Sequence, residues 1–324
     1  MQDKNTFSAG LNEAKKRAFF RCGKPYKSTH LTILCFYDIM IQQRTKKQQR
    51  GHITMKEEVR LARVRKANEL IQKSRFSLSL QQQKIILYLI SKIQPTDTEF
   101  HEYTFEIKAF CEACGIEYDS GALYSEIKEA VKNIADKSLW VKMPDGRETL
   151  LRWIEKASIE AGTGILTIRL DNDMKPYLLQ LNKNYTTYDL IYTLTFKSKY
   201  SVRLYELIKS IHFDESQPYA RTYSVDELKK LLSAETYKTY SHFKEKALDP
   251  AINEINAISD KAVYYEVAEK SGKKITHLTL HIAKYDTMKT LINQKFIAEG
   301  KAKELKARSK KNTSKQGEKK NGTS

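Results

Sequence analysis

The chain has 324 residues, enough for about two domains with separate cores. Its 57 basic and 39 acidic residues give a net charge of +18, which favours a polyanionic partner. No stretch reaches the ~20 apolar residues that a membrane span needs, and four scattered cysteines are too few for a disulfide framework. We therefore expect no membrane contact and a reducing, cytoplasmic compartment.

The excess of positive charge lies at the two ends of the chain. Residues 1–54 hold 11 basic and 3 acidic residues, and residues 301–324 hold 9 and 2. Between them, residues 55–300 hold 37 basic and 34 acidic residues. A nucleic-acid surface on the folded part must therefore come from the local placement of charge.

The two terminal segments are not expected to fold. Residues 1–54 show no clean helical or strand period, so they are either a disordered basic extension or upstream sequence translated from an early start codon. The basic C-terminal tail, residues 286–324, is expected to begin as a polar helix and to run out into residues 300–324, whose high charge and lack of aromatic residues are typical of disorder. Such tails add non-specific attraction to phosphates.

The first predicted domain covers residues 55–185. A helix is expected over residues 56–74, and Ser79 is a suitable N-cap for a second, apolar helix that stops before Pro95. Residues 101–107 then alternate like a strand. The following segment, residues 172–190, is expected to be a helix and a short connector that leads into the second domain.

A short third helix contains the C-x-x-C spacing of Cys111 and Cys114. A zinc site would need two more ligands at similar spacing, and Cys22 and Cys35 lie far away in the chain. We interpret Cys114 as the end of a helix that Gly115 stops. No metal and no cofactor are expected.

Two segments of the chain repeat one pattern, Y-S-x-apolar-K-E, at residues 124–129 and 240–245. Each opens an amphipathic helical run that ends at an Asp-Lys pair and is followed by a strand, a glycine-containing turn and another strand. Short helices, then a longer helix, then a β-hairpin is the order of elements in a winged-helix module. The repeat therefore predicts an α+β fold of two tandem winged-helix domains with flexible basic tails, an architecture that mostly serves duplex DNA.

In the first domain the repeated pattern opens a helix with an apolar stripe that we expect to be buried: Leu123, Ile127, Val131 and Ile134. The opposite face carries the candidate DNA contacts Tyr124, Ser125, Lys128 and Lys132. A hairpin is expected around Pro144-Asp145-Gly146, with Lys142 and Arg147 beside the turn as candidate phosphate contacts. A further strand is expected over residues 165–170.

The second predicted domain, residues 186–285, is expected to be the main DNA reader. Its first helix covers residues 195–211, and a strand and the helix 226–232 follow. The longest helical run covers residues 237–258, with a buried stripe of Phe243, Ala247, Leu248, Ile252 and Ile255. Pro250 lies within this run, so either the helix kinks there, or a new helix starts with Asp249 as its cap.

A hairpin closes the second domain, with candidate phosphate contacts at Lys270, Lys273 and Lys274. His277 and His281 are two residues apart on one face of its second strand. This spacing resembles that of metal ligands, but a half-exposed face of the wing is the better interpretation.

No enzymatic motif stands in the sequence. The P-loop pattern, the H-E-x-x-H helix and the His-x-His pair of a rolling-circle nickase are all missing. The 19 tyrosines leave candidates for a nucleophile, so a tyrosine-dependent DNA nickase remains a third hypothesis.

Three segments of the second domain, SKYSVRLYELIKS (198–210), FKEKALDPAINEIN (243–256) and KKITHLTLHI (273–282), resemble the Rep initiators of iteron-containing bacterial plasmids. The first domain resembles the family through residues 76–93, 106–116 and 124–141, and the likeness covers about residues 62–283. It implies two winged helices that bind directly repeated origin sequences, opening of the adjacent AT-rich DNA, and recruitment of host replication proteins such as the replicative helicase. It also implies repression of the protein's own promoter, a homodimer in equilibrium with a monomer, and a bacterial cytoplasmic location.

The resemblance places the main contact helix at Tyr237 to Lys246. Within it lie the candidate contacts Lys238, Ser241, Lys244 and Lys246, while Glu245 stands where family members often have a basic residue. Glu245 either accepts a hydrogen bond from a cytosine amino group or pairs with a neighbouring lysine, and we favour the pairing. The leading hypothesis is a plasmid replication initiator, and the alternative within this fold is a winged-helix transcriptional regulator without initiator activity.

Overall fold

The computed structural model describes residues 59, 61–116, 121–142, 146–160, 162–212 and 214–285. The predicted tails, residues 1–54 and 286–324, and the Pro144-Asp145 part of the predicted turn lie outside the described residues. Within the described part of the chain, no helix is long and apolar enough to cross a bilayer.

The first module consists of β1 Arg63–Ala67, α1 Asn68–Lys73, β2 Ser74–Arg75, α2 Leu80–Ile90, β3 Glu102–Glu106, α3 Ile107–Ala113, α4 Ala122–Ala135, β4 Ser138–Lys142, β5 Glu148–Arg152, β6 Ile154–Ile159, β7 Ile165–Leu170, a 3₁₀ turn Asn172–Met174 and α5 Lys175–Leu178. The start of α2 is as predicted, because the Ser79 hydroxyl accepts from the Gln82 amide at 3.2 Å and the Gln82 side chain accepts from the Ser79 amide at 2.9 Å. This reciprocal capping box satisfies two backbone donors at the helix start.

The second module follows as β8 Tyr185–Asp189, α6 Leu190–Thr195, α7 Lys199–Ile211, β9 Tyr219–Ser224, α8 Val225–Leu231, α9 Tyr240–Phe243, a π-helical turn Lys244–Leu248, α10 Asp249–Ile258, β10 Lys261–Ser271 and β11 Lys274–Lys284. The predicted hairpin and the predicted inward residues of α7 are confirmed, since Tyr200, Leu204, Leu207 and Ile211 are all buried.

The strand order shows that one topology is used twice. In the second module the sheet has the order β10-β11-β9, so the strand before α8 pairs with the last strand of the hairpin. In the first module β3, which precedes α3, pairs in the same way with β7 in the sheet β3-β7-β6. Both modules therefore have the helix–strand–helix–helix–hairpin order of a winged helix, and the predicted tandem fold is confirmed.

The same comparison identifies the hairpin of the first module that corresponds to the wing. By strand pairing it is β6–β7, which pairs with β3 as β10–β11 pairs with β9. The predicted hairpin β4–β5 is present, but it pairs with β2 in a separate sheet. Lys142 and Arg147 lie on that separate hairpin, and their contact with phosphates stays a prediction.

The helix predicted over residues 56–74 is wrong over its central part. Residues 63–67 form the strand β1, which pairs antiparallel with β8, and the helix α1 covers residues 68–73. Val64 and Lys66 face the interior from this strand, so burial beside β8 outweighs the helical propensity of the local sequence. The connector predicted near residues 185–190 is likewise not a loop, because β8 occupies it. The domain boundary near residue 185 stays a prediction.

A buried charge cluster joins the strand β1 to the helix α7. Helix α7 packs on α10 of its own module and on α1, α2 and β8. From α7, Glu206 accepts from Lys66 of β1 at 2.7 Å and from the Tyr188 hydroxyl of β8 at 2.5 Å, while Arg203 donates to the Leu231 carbonyl oxygen at 3.2 Å. Lys66 and Glu206 are 1 and 2 % exposed, so β1 and α7 are joined through a desolvated ion pair.

Candidate nucleic-acid interface

The main candidate reading element is the helical run from Tyr240 to Ile258. The Thr239 hydroxyl accepts from the His242 amide at 3.3 Å, so the run begins at Tyr240, three residues later than predicted. The predicted apolar stripe is confirmed in full: Phe243, Ala247, Leu248, Ile252 and Ile255 are buried. This stripe fixes the run on the module's core and leaves its other side exposed.

Pro250 neither breaks the run nor starts a separately capped helix. A proline has no backbone N–H and its ring collides with the carbonyl four residues earlier in a regular helix. Here the turn Lys244–Leu248 is π-helical, and α10 continues from Asp249. An inserted π turn of this kind accommodates the proline without ending the helix. Of the two alternatives left open at Pro250, a new helix capped by Asp249 is excluded, because Asp249 is already the first helical residue and its carboxylate binds Lys244 and Tyr265 instead.

The candidate contacts of this run share its exposed side. Ser241, Glu245 and Lys246 are exposed, Lys244 is half-buried, and Lys238 is exposed two residues before the run begins. Lys246 and Glu245 form an ion pair with 2.8 Å between nitrogen and oxygen, which lowers the pKa of Glu245 and raises the pKa of Lys246. The favoured interpretation of Glu245, pairing with a neighbouring lysine, is confirmed. Contact of these side chains with DNA stays a prediction.

Lys244 has a different environment from the other lysines of the run. Its ammonium group donates to one carboxylate oxygen of Asp249, and the hydroxyl of Tyr265 on β10 donates to the other oxygen at 2.7 Å. Burial raises the pKa of Tyr265, and the hydrogen bond to Asp249 raises it further. One carboxylate therefore connects the π turn to the wing strand.

The hairpin β10–β11 presents the predicted basic tip. Lys270, Lys273 and Lys274 are exposed around Gly272, whose φ of +59° requires a conformation that glycine adopts without strain. The predicted half-exposed face of this wing is confirmed, since His277 and His281 are both partly buried. The Nδ1 atom of His277 lies 2.8 Å from Oε2 of Glu269, and the Nε2 atom of His281 lies 3.0 Å from Oε1 of Glu266.

The corresponding helix of the first module is α4. Its predicted core residues Ile127, Val131 and Ile134 are buried, and Leu123 packs against the same core. On the other side Ser125, Lys128 and Lys132 are exposed and Tyr124 is half-buried. On the adjacent hairpin Arg147 is exposed, whereas the Lys142 side chain lies outside what the structure describes.

The C-x-x-C segment has the character of a helix end. Cys111 is buried, and burial raises the pKa of Cys111 to about 11 and that of Cys114 to about 12, so neither thiol is inclined to ionise. Gly115 has φ of +66° and the Ile116 amide donates to the Cys111 carbonyl oxygen at 2.9 Å, as at a glycine-terminated helix. No group of His, Cys, Asp and Glu suited to a metal ion occurs among the described residues.

Sequence reasoning missed two features. Asp249 and Tyr265 were not recognised as partners of Lys244, because only the fold brings Tyr265 of β10 to the helix. Trp140 and Leu150 pair across β4 and β5 and are 49 and 50 % exposed. The one signal in the sequence for this apolar pair was the equal spacing of the two residues from the predicted turn.

The repeated topology, with one helix in each module that has an exposed polar side, defines the chain as a tandem winged-helix protein. Family profiles give the same order: the profile described as "Initiator Replication protein, WH1" matches residues 63–209, and "Initiator Rep protein, WH2" matches residues 224–282. Together they match more than half of the 324 residues. The chain belongs to this family of replication initiator proteins.

Individual relatives agree with the family. The chain is 25 % identical over 225 residues to a "Replication initiation protein" of Escherichia coli, covering 67 % of this chain and 68 % of that protein. It is 32 % identical over 143 residues to the "PI protein" of Escherichia coli, covering 40 % of this chain and 46 % of that protein. The crystal structure of the Pi initiator protein in complex with iteron DNA is similar in fold, with a TM-score of 0.59 and 23 % identity over 69 % of this chain and 98 % of that one.

Proposed function

We propose that the protein initiates plasmid replication by binding repeated sequences (iterons) in duplex origin DNA with both winged helices. The observation that carries this proposal is the repeated topology, in which α4 and the run Tyr240–Ile258 each combine a buried apolar stripe with an exposed polar and basic side. A helix of this kind suits the major groove, where the outer side chains reach base edges and phosphates. The similar fold of an initiator bound to iteron DNA supports the proposal.

Both modules are expected to contact one site. Their cores are continuous, so we expect the two helices to have a fixed relative placement. Helices one helical turn apart on DNA protect about two turns of duplex in total. Footprinting of the full chain on the repeats beside its gene tests this arrangement, and protection of a single turn would contradict it.

The second module is expected to supply most of the specificity. Lys244→Ala should remove about 1–3 kcal/mol of binding free energy on the true repeat if Lys244 reaches a base edge, with a small loss on random duplex. Lys273→Ala at the wing tip should weaken both equally and reduce the salt slope by about one unit, as the loss of a phosphate contact does. Lys273→Ala should keep the wild-type melting temperature, and Lys244→Ala should lower it only slightly, because Asp249 keeps its hydrogen bond from Tyr265. Equal weakening on both DNAs by Lys244→Ala would show that bases are read elsewhere.

Further steps of initiation belong to the same proposal. After binding, the protein opens the adjacent AT-rich DNA, recruits the replicative helicase, and represses its own promoter. A plasmid carrying only this gene and its flanking repeats should transform a suitable host, and failure to replicate would favour a plain transcriptional regulator. Relaxation of supercoiled DNA in the presence of a divalent metal would instead favour a nickase. Burial raises the pKa of Tyr188, Tyr205 and Tyr265, which makes these three tyrosines poor nucleophiles.

A homodimer in equilibrium with the monomer is also part of the proposal. The exposed Trp140 and Leu150 lie on the hairpin β4–β5, and β5 is an edge strand of its sheet in the described structure. An exposed apolar edge of this kind favours pairing with another chain. Trp140→Ser should shift sedimentation toward the monomer, and an unchanged distribution would exclude this hairpin as the interface.

A further inference from the structure

Lys244 is restrained in a way that Lys246, the other lysine of the π turn, is not. Lys246 pairs with its sequence neighbour Glu245, and both side chains are well exposed, at 59 and 63 %. Lys244 is held instead by Asp249, which lies one turn further along the run and is itself held by Tyr265 from β10. The π turn allows this contact, because Pro250 prevents a regular helical turn at the same place.

The carboxylate of Asp249 has a donor on each of its oxygens. Lys244 donates to one, and Tyr265 donates to the other at 2.7 Å. The carboxylate still carries its negative charge and stands beside the lysine on the exposed side. A DNA phosphate that approaches Lys244 would be repelled by this charge, so Lys244 is poorly suited to phosphate binding.

The remaining donors of Lys244 match one base better than the others. An ammonium group has three N–H donors, and Asp249 occupies one of them. Two donors suit a pair of neighbouring acceptors. In the major groove guanine offers two acceptors, N7 and O6, whereas adenine offers one acceptor beside a donor and thymine offers a single acceptor.

We propose that Asp249 is a positioning residue that holds Lys244 to read a guanine in the major groove, and that Tyr265 couples this contact to the wing. The inference rests on the proposed function, because it concerns the same DNA contact. Asp249 and Tyr265 need not touch DNA. Their effect is on discrimination: they reduce binding to random duplex through the negative charge, and they keep the lysine where the guanine lies.

The experiment measures binding of the full chain to a duplex carrying its origin repeat, with each guanine replaced singly by 7-deazaguanine, which lacks the N7 acceptor. The affinity of the wild-type protein should fall strongly when one particular guanine, within the DNA segment that the second module contacts, is replaced. Lys244→Ala should lose about 10- to 100-fold on the unmodified repeat, and the same guanine should then become insensitive to the replacement.

Asp249→Asn and Tyr265→Phe test the positioning role. Both should reduce the ratio of specific to random binding and weaken the response to 7-deazaguanine at the same position. Asp249→Asn should also bind random duplex more tightly and with a steeper salt slope, since the released lysine is free to bind phosphate. Matched controls are Asp226→Asn, the same change of charge at an exposed site on α8, and Tyr264→Phe, the neighbouring tyrosine on the opposite face of β10.

The possible results separate the two proposals. If the wild-type protein shows no preference for the repeat, the proposed function fails and this inference fails with it. If the wild type binds the repeat but Asp249→Asn and Tyr265→Phe keep its 7-deazaguanine profile and salt slope, only the positioning role is overturned. Should Asp249→Asn lower the melting temperature strongly, Tyr265→Phe decides alone, because it removes one hydroxyl and leaves the helix sequence intact.

Discussion

Replacing Glu206 by Gln should destabilise the whole folded region, because it removes the negative charge from the buried junction. The Lys66 ammonium lies 2.7 Å from the Glu206 carboxylate, and both side chains are almost fully buried. At this separation the gross attraction between unit charges is about 6 kcal/mol for an effective dielectric constant of ~20. Removal of one partner from such a pair typically costs about 3–5 kcal/mol, since the other charge stays buried without compensation.

The pKa values of Lys66 and Glu206 indicate how the stability of the variant should depend on pH. Burial lowers the pKa of Lys66, although Glu206 opposes this effect. Burial alone would raise the pKa of Glu206, but Lys66 and Arg203 outweigh it and lower the pKa. In Glu206→Gln the lysine loses its main stabilising charge, so its pKa should fall further. Stability should therefore rise with pH more steeply in the variant than in the wild type, where Glu206 opposes the lowering of the Lys66 pKa.

Chemical denaturation followed by circular dichroism measures the effect. The control is Glu69→Gln, which removes a carboxylate from the more exposed Lys73–Glu69 pair within α1 and should cost at most about 0.5 kcal/mol. The double variant Lys66→Met/Glu206→Leu should be more stable than Glu206→Gln, because it removes the uncompensated lysine and leaves only Arg203 charged, which keeps its hydrogen bond to the Leu231 carbonyl oxygen. A loss below about 1 kcal/mol for Glu206→Gln would refute this reasoning, and so would a double variant as unstable as the single one.

Three further predictions concern the periphery of the fold. Burial alone would raise the pKa of Glu215, but hydrogen bonds from Lys209 and Lys261 outweigh this effect and lower the pKa from 4.5 to about 2. The stability that the ionised Glu215 contributes should be fully present above about pH 4.5 and be lost as the pH falls toward 2. Glu215→Gln should therefore flatten the acid limb of a stability–pH curve. Ser79→Ala should cost about 1 kcal/mol through the loss of the capping box of α2, measured as a lower denaturation midpoint, and an unchanged midpoint would contradict the capping role. A chain of residues 55–300 should bind the repeat with a shallower salt slope and keep its preference over random DNA, and loss of the preference would show that the tails take part in recognition.

The local pattern of the sequence was sufficient to predict the two reading helices and the wing hairpin of the second module. The stripe from Phe243 to Ile255 is buried as its spacing indicates, and Ser79 caps α2 as its position indicates. These features depend on residues within one helical turn or one hairpin of each other, so periodicity and cap chemistry contain the information. The repeated motif at residues 124–129 and 240–245 added the tandem arrangement.

Tertiary structure alone decided the features that join distant parts of the chain. Residues 63–67 read locally as helix, but they form a strand because β8, more than a hundred residues later, supplies the hydrogen-bonding partner and buries Lys66 beside Glu206. The wing equivalent of the first module became recognisable only when β3 was seen to pair with β7.

At the candidate site, too, contacts between distant parts of the chain could not be predicted from the local sequence. Composition and spacing predicted which lysines lie on the exposed side of the reading run, because exposure follows from the position of the apolar stripe. They could not predict that Asp249 and Tyr265 hold Lys244, since that contact requires the hairpin to fold back onto the π turn. The sequence alone determined which surface faces outward, and the tertiary packing decided how one side chain on that surface is held.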